Sequence, residues 1–291
     1  MSLWAMPAVV SAALDRLAAF LDRRTRDRFW SVFFGLLLCR EKRRTASAWF
    51  RAAGIGTDSR RAYDLLGSVG RRVGSLGTVL LGAVERVAGG PAGRAVFALD
   101  DTVTRRYGPH VEGAGVHRNP TPGPAAQAWV YGHVWVTLAR VVRHASWGAI
   151  GLPVRAALYV RRKDIGTIPP AYRWPFRTKL ELAVELLGWA VAWLGAKGRP
   201  IWLVADGAYA KRVVLRAATR LGVTVVSRLR KDAALWSVPG PRRPGQRGRP
   251  RVYGDRRLDL AKRRYARKTA RRLFLPEGFH ARVYARGLHV P

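Results

Sequence analysis

Two carboxylates stand side by side in "VFALDDTVTRRYG", residues 96–108, where Asp100 and Asp101 follow a short apolar run and precede an arginine pair. A third, Asp206, closes another apolar run, "PIWLVAD", much later in the chain. Converging carboxylates repel one another, and such a group is tolerated where a divalent cation sits among its members. Hard oxygen ligands suit Mg2+ or Mn2+. Two such ions stabilise the attacking and leaving oxygens of an in-line phosphoryl displacement. The adjacent pair also has a plainer reading, an acidic turn cap after a strand. Asp206 at the matching end of a second apolar run weighs against it.

The composition says what such a site would meet. The chain has 291 residues, with 53 Lys plus Arg against 18 Asp plus Glu and a formal net charge of +35. That excess predicts attraction to a polyanion, most commonly nucleic acid. Of the basic residues 45 are Arg and 8 are Lys, and the guanidinium is the better bidentate partner for phosphate. At 48% hydrophobic residues the chain is globular rather than a disordered basic tail. Cys39 is its only cysteine, which excludes an intrachain disulfide framework and a cysteine zinc site. The six histidines, His110, His117, His133, His144, His280 and His289, lack zinc-ligand spacing. The longest apolar run near the start, residues 32–39, is too short to span a bilayer, so no membrane partner is expected.

The elements that must position the acids follow from periodicity. Val10, Leu14, Leu17, Ala18 and Leu21 fall at helix spacing, as do Phe29, Val32, Phe33, Leu36 and Leu37. Ala48, Trp49, Ala52 and Ala53 form a further short apolar face that ends at the Gly54-Ile55-Gly56 turn. Thr57 or Asp58 then stands as the cap of a helix carrying Ala62, Leu65 and Leu66. Two short helices about a glycine turn, flanked by Arg43, Arg44, Arg60 and Arg61, fit a helix-turn-helix that binds DNA, and equally two helices of a small bundle. Residues 1–90 are thus a helical N-terminal region, closed by the linker "VAGGPAGR".

After the linker the pattern becomes α/β. Short apolar or β-branched runs at 96–99, 129–142 and 154–160 read as strands. A helical stripe follows on Leu180, Ala183, Val184, Leu187, Val191 and Leu194. Next come a strand ending at Asp206, a helix on Val214, Ala217, Ala218 and Leu221, and the strand "VTVVSRL". The order is three strands, helix, strand, helix, strand. In α/β folds, groups at the carboxyl ends of strands gather at one sheet edge, so the acids converge if the first and fourth strands are neighbours. This unit covers residues 91–236. Residues 237–291 begin with Pro, Gly and Arg punctuation and continue into the basic "LAKRRYARKTARR".

The stretches "ALDDT", "YGHVWVTL", "LYVRRKD", "FRTKLELAVELL", "IWLVADGAYAKRVVLRAA" and "GVTVVSRLRKDAALW" resemble the DDE superfamily of insertion-sequence transposases. The resemblance spans residues 98–236, and more loosely 29–94 and 244–260. It implies an RNase H-like catalytic core with strand order β1-β2-β3-α1-β4-α2-β5, preceded by the helical region, and cut-and-paste DNA transposition dependent on Mg2+ or Mn2+. It also implies double-stranded DNA, at transposon ends and target, as partner. A homodimer on that DNA and a bacterial, nucleoid-associated cytoplasmic location are expected. Carried over, the second catalytic aspartate is Asp206 and the first is Asp101 or Asp100. A threonine directly after the catalytic aspartate favours Asp101 as the metal ligand, with Asp100 then facing the opposite side of the strand.

The family's third acid is a glutamate on a later helix. After Asp206 the acids are Asp232, Asp255, Asp259 and Glu277, and Glu277 lies between proline and glycine context that does not suit a helix. A chain that stops inside the family's insertion, with weak or absent catalysis, is the expectation that follows.

Smaller signals carry two readings each. "QRGRPR", with Arg247, Arg249 and Arg251, resembles an AT-hook whose arginines enter a narrow minor groove, and is also an ordinary solvated basic loop. Lys211 and Arg212, just past Asp206, suit phosphates near the site or a water-facing first helical turn. His133 suits the scissile phosphate or, more commonly, a satisfied core position. Trp129, Trp135, Trp189, Trp193 and Trp202 read as core rather than base-stacking residues.

Overall fold

The computed structural model describes residues 8–41, 45–56, 59–87, 93–119, 127–194, 198–228, 235–236, 239–251, 253–255 and 257–258. The chain divides into two compact units, residues 1–90 and 91–291.

The first unit is helical: α1 (Ala8–Ala18), α2 (Arg23–Leu38), α3 (Ala46–Ala52), α4 (Ser59–Arg71) and α5 (Val73–Val87). Asp22 caps α2 by accepting the Thr25 N–H at 3.0 Å, and Thr45 caps α3 by accepting the Ala48 N–H at 3.2 Å. Gly54, at φ +69°, ends α3 in a conformation that costs a residue with a Cβ. Leu21, Val32, Phe50, Ala62 and Leu65 form the core, with Phe29, Trp49 and Leu66 packed against it. Burying each large side chain there contributes ~2 kcal/mol, so the apolar faces and not helix propensity hold this bundle. The expected caps Thr57 and Asp58 lie outside the described residues.

The second unit is built on a six-stranded mixed sheet: β1 (Ala95–Arg105), β2 (Gly115–Arg118), β3 (Trp129–His144), β4 (Gly148–Tyr159), β5 (Ile201–Ala205) and β6 (Val223–Ser227). β3 pairs antiparallel with β1 along one edge and with β2 and then β4 along the other, since Gly132 faces both Arg105 and Gly115. β5 pairs parallel with β1, and β6 parallel with β5. Two 3-10 turns, Arg162–Thr167 and Pro170–Tyr172, lead from β4 into α6 (Lys179–Leu194), and α7 (Arg212–Arg220) joins β5 to β6. Leu182, Ala183, Leu186, Leu187, Ala190 and Leu194 of α6 are buried. Phe97, Val134, Val136, Leu138 and Leu203 are fully buried on one face of the sheet. This is the α/β architecture of an RNase H-like core.

The structure departs from the sequence reading in several places. β1 does not stop at the acid pair but continues to Arg105, because β3 supplies a partner for every residue from Phe97 on. The parallel partner β5 does stop there, its last pair being Leu99 with Ala205. β4 begins at Gly148, before Pro153 rather than after it, and Pro153 sits where the β3–β4 register shifts at Leu138 and Ala139, a bulge that accommodates its missing N–H. Finally β7 (Leu235–Trp236) and β8 (Arg257–Leu258) form a short ladder across the Pro/Gly/Arg-rich stretch, whereas "LAKRRYARKTARR" lies outside the described residues.

Candidate functional site

Strand alternation sorts the two adjacent acids. Phe97, Leu99 and Asp101 share one face of β1, the buried one, while Asp100 falls on the other with Val96 and Ala98. Asp100 is exposed, and its Oδ1 accepts the N–H of Asp101 at 2.8 Å. Asp101 is 18% exposed, and each of its oxygens has a partner. Oδ1 accepts the Tyr209 hydroxyl at 2.9 Å, and Oδ2 accepts the Lys179 ammonium at 2.5 Å.

Tyr209 lies on the loop after β5, three residues beyond Asp206. That loop is a built turn. Asp206 Oδ1 accepts the Ala208 N–H at 2.9 Å, and its carbonyl accepts the Ser227 hydroxyl at 2.9 Å and the Tyr209 N–H at 3.2 Å. Gly207 is required by close approach, because a Cβ there would lie 2.7 Å from the Arg228 carbonyl oxygen. Tyr209 itself is 2% exposed. Burial first, then the Asp101 charge and hydrogen bond, then Asp100 and Asp206, push its hydroxyl far above the ordinary tyrosine range. All three carboxylates therefore act on one phenol, which stays protonated and donates.

Lys179 owes its place to the start of α6. Thr178 and Glu181 form a capping box: Thr178 Oγ1 accepts the Glu181 N–H at 3.2 Å, and Glu181 Oε2 accepts the Thr178 N–H at 2.7 Å. Those bonds hold the Glu181 carboxyl below its ordinary value. Neither Lys179 nor Tyr209 stood out in the sequence as a partner of Asp101. The Thr-x-x-Glu pattern of residues 178–181 was the available signal for the first, since it marks Lys179 as the first helical residue.

Beside this centre, Arg161 pairs through Nε and Nη2 with Asp164 and through Nη1 with the Val116 carbonyl, clamping β2 to the segment after β4. His133 is buried in the core reading: Arg106 Nε donates to its Nδ1 at 3.0 Å, so Nε2–H donates to the Glu112 carbonyl at 2.9 Å. His117 is also buried. Burial pulls both imidazoles below their ordinary value. Of the tryptophans assigned to the core, Trp129 is exposed at the start of β3 and the other four are partly buried. Arg155 lies over Trp189 and Arg94 over Trp202.

The basic residues singled out in the sequence are spread along the chain. Arg60 is exposed on α4, and Arg61 lines a cleft of about 280 Å³ with Thr25, Arg28, Asp64, Leu65 and Ser68. Arg43 and Arg44 lie outside the described residues. Lys211 and Arg212 are exposed at the start of α7. Arg247, Arg249 and Arg251 are exposed too, but their segment is a closed turn rather than the extended backbone of a minor-groove hook. Arg242 gathers the Gln246 and Gly248 carbonyls, and Gly245 and Gly248 take φ of +75° and +94°.

Among the described residues no group of three or more histidine, cysteine or acidic side chains is arranged to hold a metal. Of the later acids only Asp255 is described, exposed and paired with Arg251. Asp232, Asp259 and Glu277 lie outside the described residues. Also among them, no helix is long and apolar enough to cross a membrane.

A family comparison decides what this core is. The DDE superfamily endonuclease family matches residues 16–282. The chain belongs to that family. DDE enzymes act on DNA and generally use divalent metals, which agrees with an acid-bearing RNase H-like sheet in a strongly basic chain. No curated protein matches the chain.

Proposed function

We propose that this DDE endonuclease is the transposase of an insertion sequence, binding terminal-repeat DNA and carrying out Mg2+-dependent strand cleavage and transfer. The observation that carries the reading is the bond from Tyr209 to Asp101, which ties the loop bearing Asp206 to the strand bearing Asp101. Asp101 and Asp206 are the metal ligands in this account, with Asp100 adding negative charge from the opposite face. The donor set is all oxygen, and Mg2+ is commonly held by one or two carboxylates completed by water and substrate phosphates. When bound, a pair of divalent ions stabilises the attacking and leaving oxygens of the displacement.

The chain's own residues do the positioning. Tyr209 fixes the orientation of Asp101, and the turn closed by Ser227 fixes Asp206. Lys211 and Arg212 meet the phosphates that flank the scissile bond. Arg60 and Arg61 of α4, with Arg43 and Arg44 before α3, hold the terminal-repeat duplex, and Arg247, Arg249 and Arg251 add sequence-independent phosphate contacts. A second copy of the chain on the same DNA brings the two ends together.

One observation favours a second reading, a DNA-binding protein that occupies transposon ends, or joins mixed oligomers as an inhibitor, without cutting. It is the lack of a third metal-binding acid among the described residues. Nicking of a supercoiled plasmid carrying the terminal repeats separates the two. Cutting that requires Mg2+ and disappears in Asp206→Asn supports the transposase. Binding without cutting in the wild-type chain supports the second reading.

A further inference from the structure

We infer that Lys179 is the resident counter-ion of Asp101, seated where a divalent cation would bind, and that metal binding displaces its ammonium toward DNA phosphate. The inference rests on the reading that Asp101 is a metal ligand.

The placement of Lys179 is electrostatically unfavourable for its own helix. The capping box of Thr178 and Glu181 makes it the first residue of α6. Helix N-termini carry partial positive charge and favour anions, not ammonium groups. What holds the side chain is therefore outside the helix: Asp101 Oδ2 at 2.5 Å and, more weakly, the face of Tyr159, with Nζ 5.6 Å from the ring centroid. An ammonium drawn against its helix dipole onto a carboxylate marks that carboxylate as a site in need of a cation.

The two oxygens of Asp101 are held unequally. Tyr209, on Oδ1, is 2% exposed and belongs to the packed loop. Lys179, on Oδ2, has a side chain 37% exposed on a flexible four-carbon stem. The phenol is thus a fixed orienting donor, while the ammonium is exchangeable. A divalent ion held by Asp101 and Asp206 would bring twice the charge of the ammonium, so it would outcompete a single monovalent contact. Once bound, it repels the ammonium, as does the helix N-terminus. The displaced group turns to solvent, where DNA phosphates are the anions on offer. Lys179 then neutralises Asp101 before loading and contacts substrate after it, which couples metal binding to DNA binding.

The test is Mn2+ binding to the full-length chain, read from the electron paramagnetic resonance signal of free Mn2+, with and without duplex DNA. Lys179→Met is expected to bind Mn2+ about tenfold more tightly than wild type in the absence of DNA, within the usual range of site coupling. Lys179→Arg, which keeps the cation, stays close to wild type. DNA should tighten Mn2+ binding several-fold in wild type and less in Lys179→Met. Equal or weaker Mn2+ binding by Lys179→Met overturns the inference. Lys179→Gln, also uncharged, gives the same comparison if the methionine variant does not fold. Asp101→Asn and Asp206→Asn examine the underlying reading separately. If both lose Mn2+ while the uncharged Lys179 variants match wild type, only the counter-ion inference fails. If neither aspartate matters, the metal-site reading fails with it.

Discussion

Tyr209 donates its hydroxyl to Asp101 at 2.9 Å across 108 residues of sequence. One buried phenol thereby sets the orientation of an acid on a different strand from its own loop. Tyr209→Phe keeps the packed ring and removes only the donor. A hydrogen bond to a charged group contributes about 1.5–3 kcal/mol, so loss of the orienting bond should slow DNA cleavage by roughly tenfold or more. Unchanged single-turnover cleavage in the phenylalanine variant would show that the bond is structural ornament.

Gly207→Ala tests the loop that carries Asp206. The added Cβ would meet the Arg228 carbonyl oxygen at 2.7 Å, and a backbone atom cannot swing away as a side chain can. The loop must shift, and misplacement of a reacting group by about 1 Å costs on the order of 100-fold in rate. The expected result is a large loss of cleavage with retained DNA affinity. Thermal melting should show a modest change, because no buried apolar surface is lost.

The buried imidazoles give the second unit an acid sensitivity. Burial lowers His133 and His117 from 6.5. Their folded values lie below the unfolded one, so the unfolded chain takes up protons first as pH falls. Stability from this source is complete above about pH 6.5 and drains as pH drops toward the folded values. For His133 burial is the main cause, and Arg106 adds to it, since a proton on Nδ1 would face the Arg106 N–H that now donates to it. Urea melts of the wild type should show stability falling from pH 7.5 to 5.5, and His133→Gln should flatten that dependence. Glu181, lowered by its Thr178 bonds, contributes stability that is present above its unfolded value and lost only on further acidification.

DNA binding by so basic a chain should weaken steeply with salt. The slope of log K against log salt counts neutralised phosphates. Replacing Arg60 and Arg61 together by alanine should weaken binding across all sequences and make that slope shallower by about 2. A slope unchanged within error places the duplex elsewhere than on α4.

Much of this architecture was legible in the sequence because it rests on apolar periodicity. The apolar runs at 96–99 and 201–205, the α6 stripe and α7 all carry it. What was not legible depends on a partner. β1 runs on through Asp100 to Arg105 on hydrogen bonds that β3 supplies, and the β-branched Thr102, Val103 and Thr104 suit a strand only once the acid pair before them is paired. β2 is four residues long and exists through pairing with residues 129–132 of β3. α5 was unread because Gly74, Gly77 and Gly82 interrupt its apolar pattern with poor helix formers. At the site, the sequence offered Asp100, Asp101 and Asp206 as types at strand ends. It could not offer Lys179 and Tyr209, whose roles come from the register of β1 against β5 and from the cap that starts α6.

The most direct test of the central claim, that Asp101 and Asp206 share a divalent ion, is affinity cleavage with Fe2+ in place of Mg2+. With ascorbate and peroxide, the ion generates radicals that cut the polypeptide beside its ligands, and the cuts are located by mass spectrometry. The account expects cuts clustered around Asp101 and Asp206, suppressed by excess Mg2+ and lost from both segments in Asp206→Asn. Cuts absent from these two segments, or unchanged in Asp101→Asn and Asp206→Asn, would contradict it.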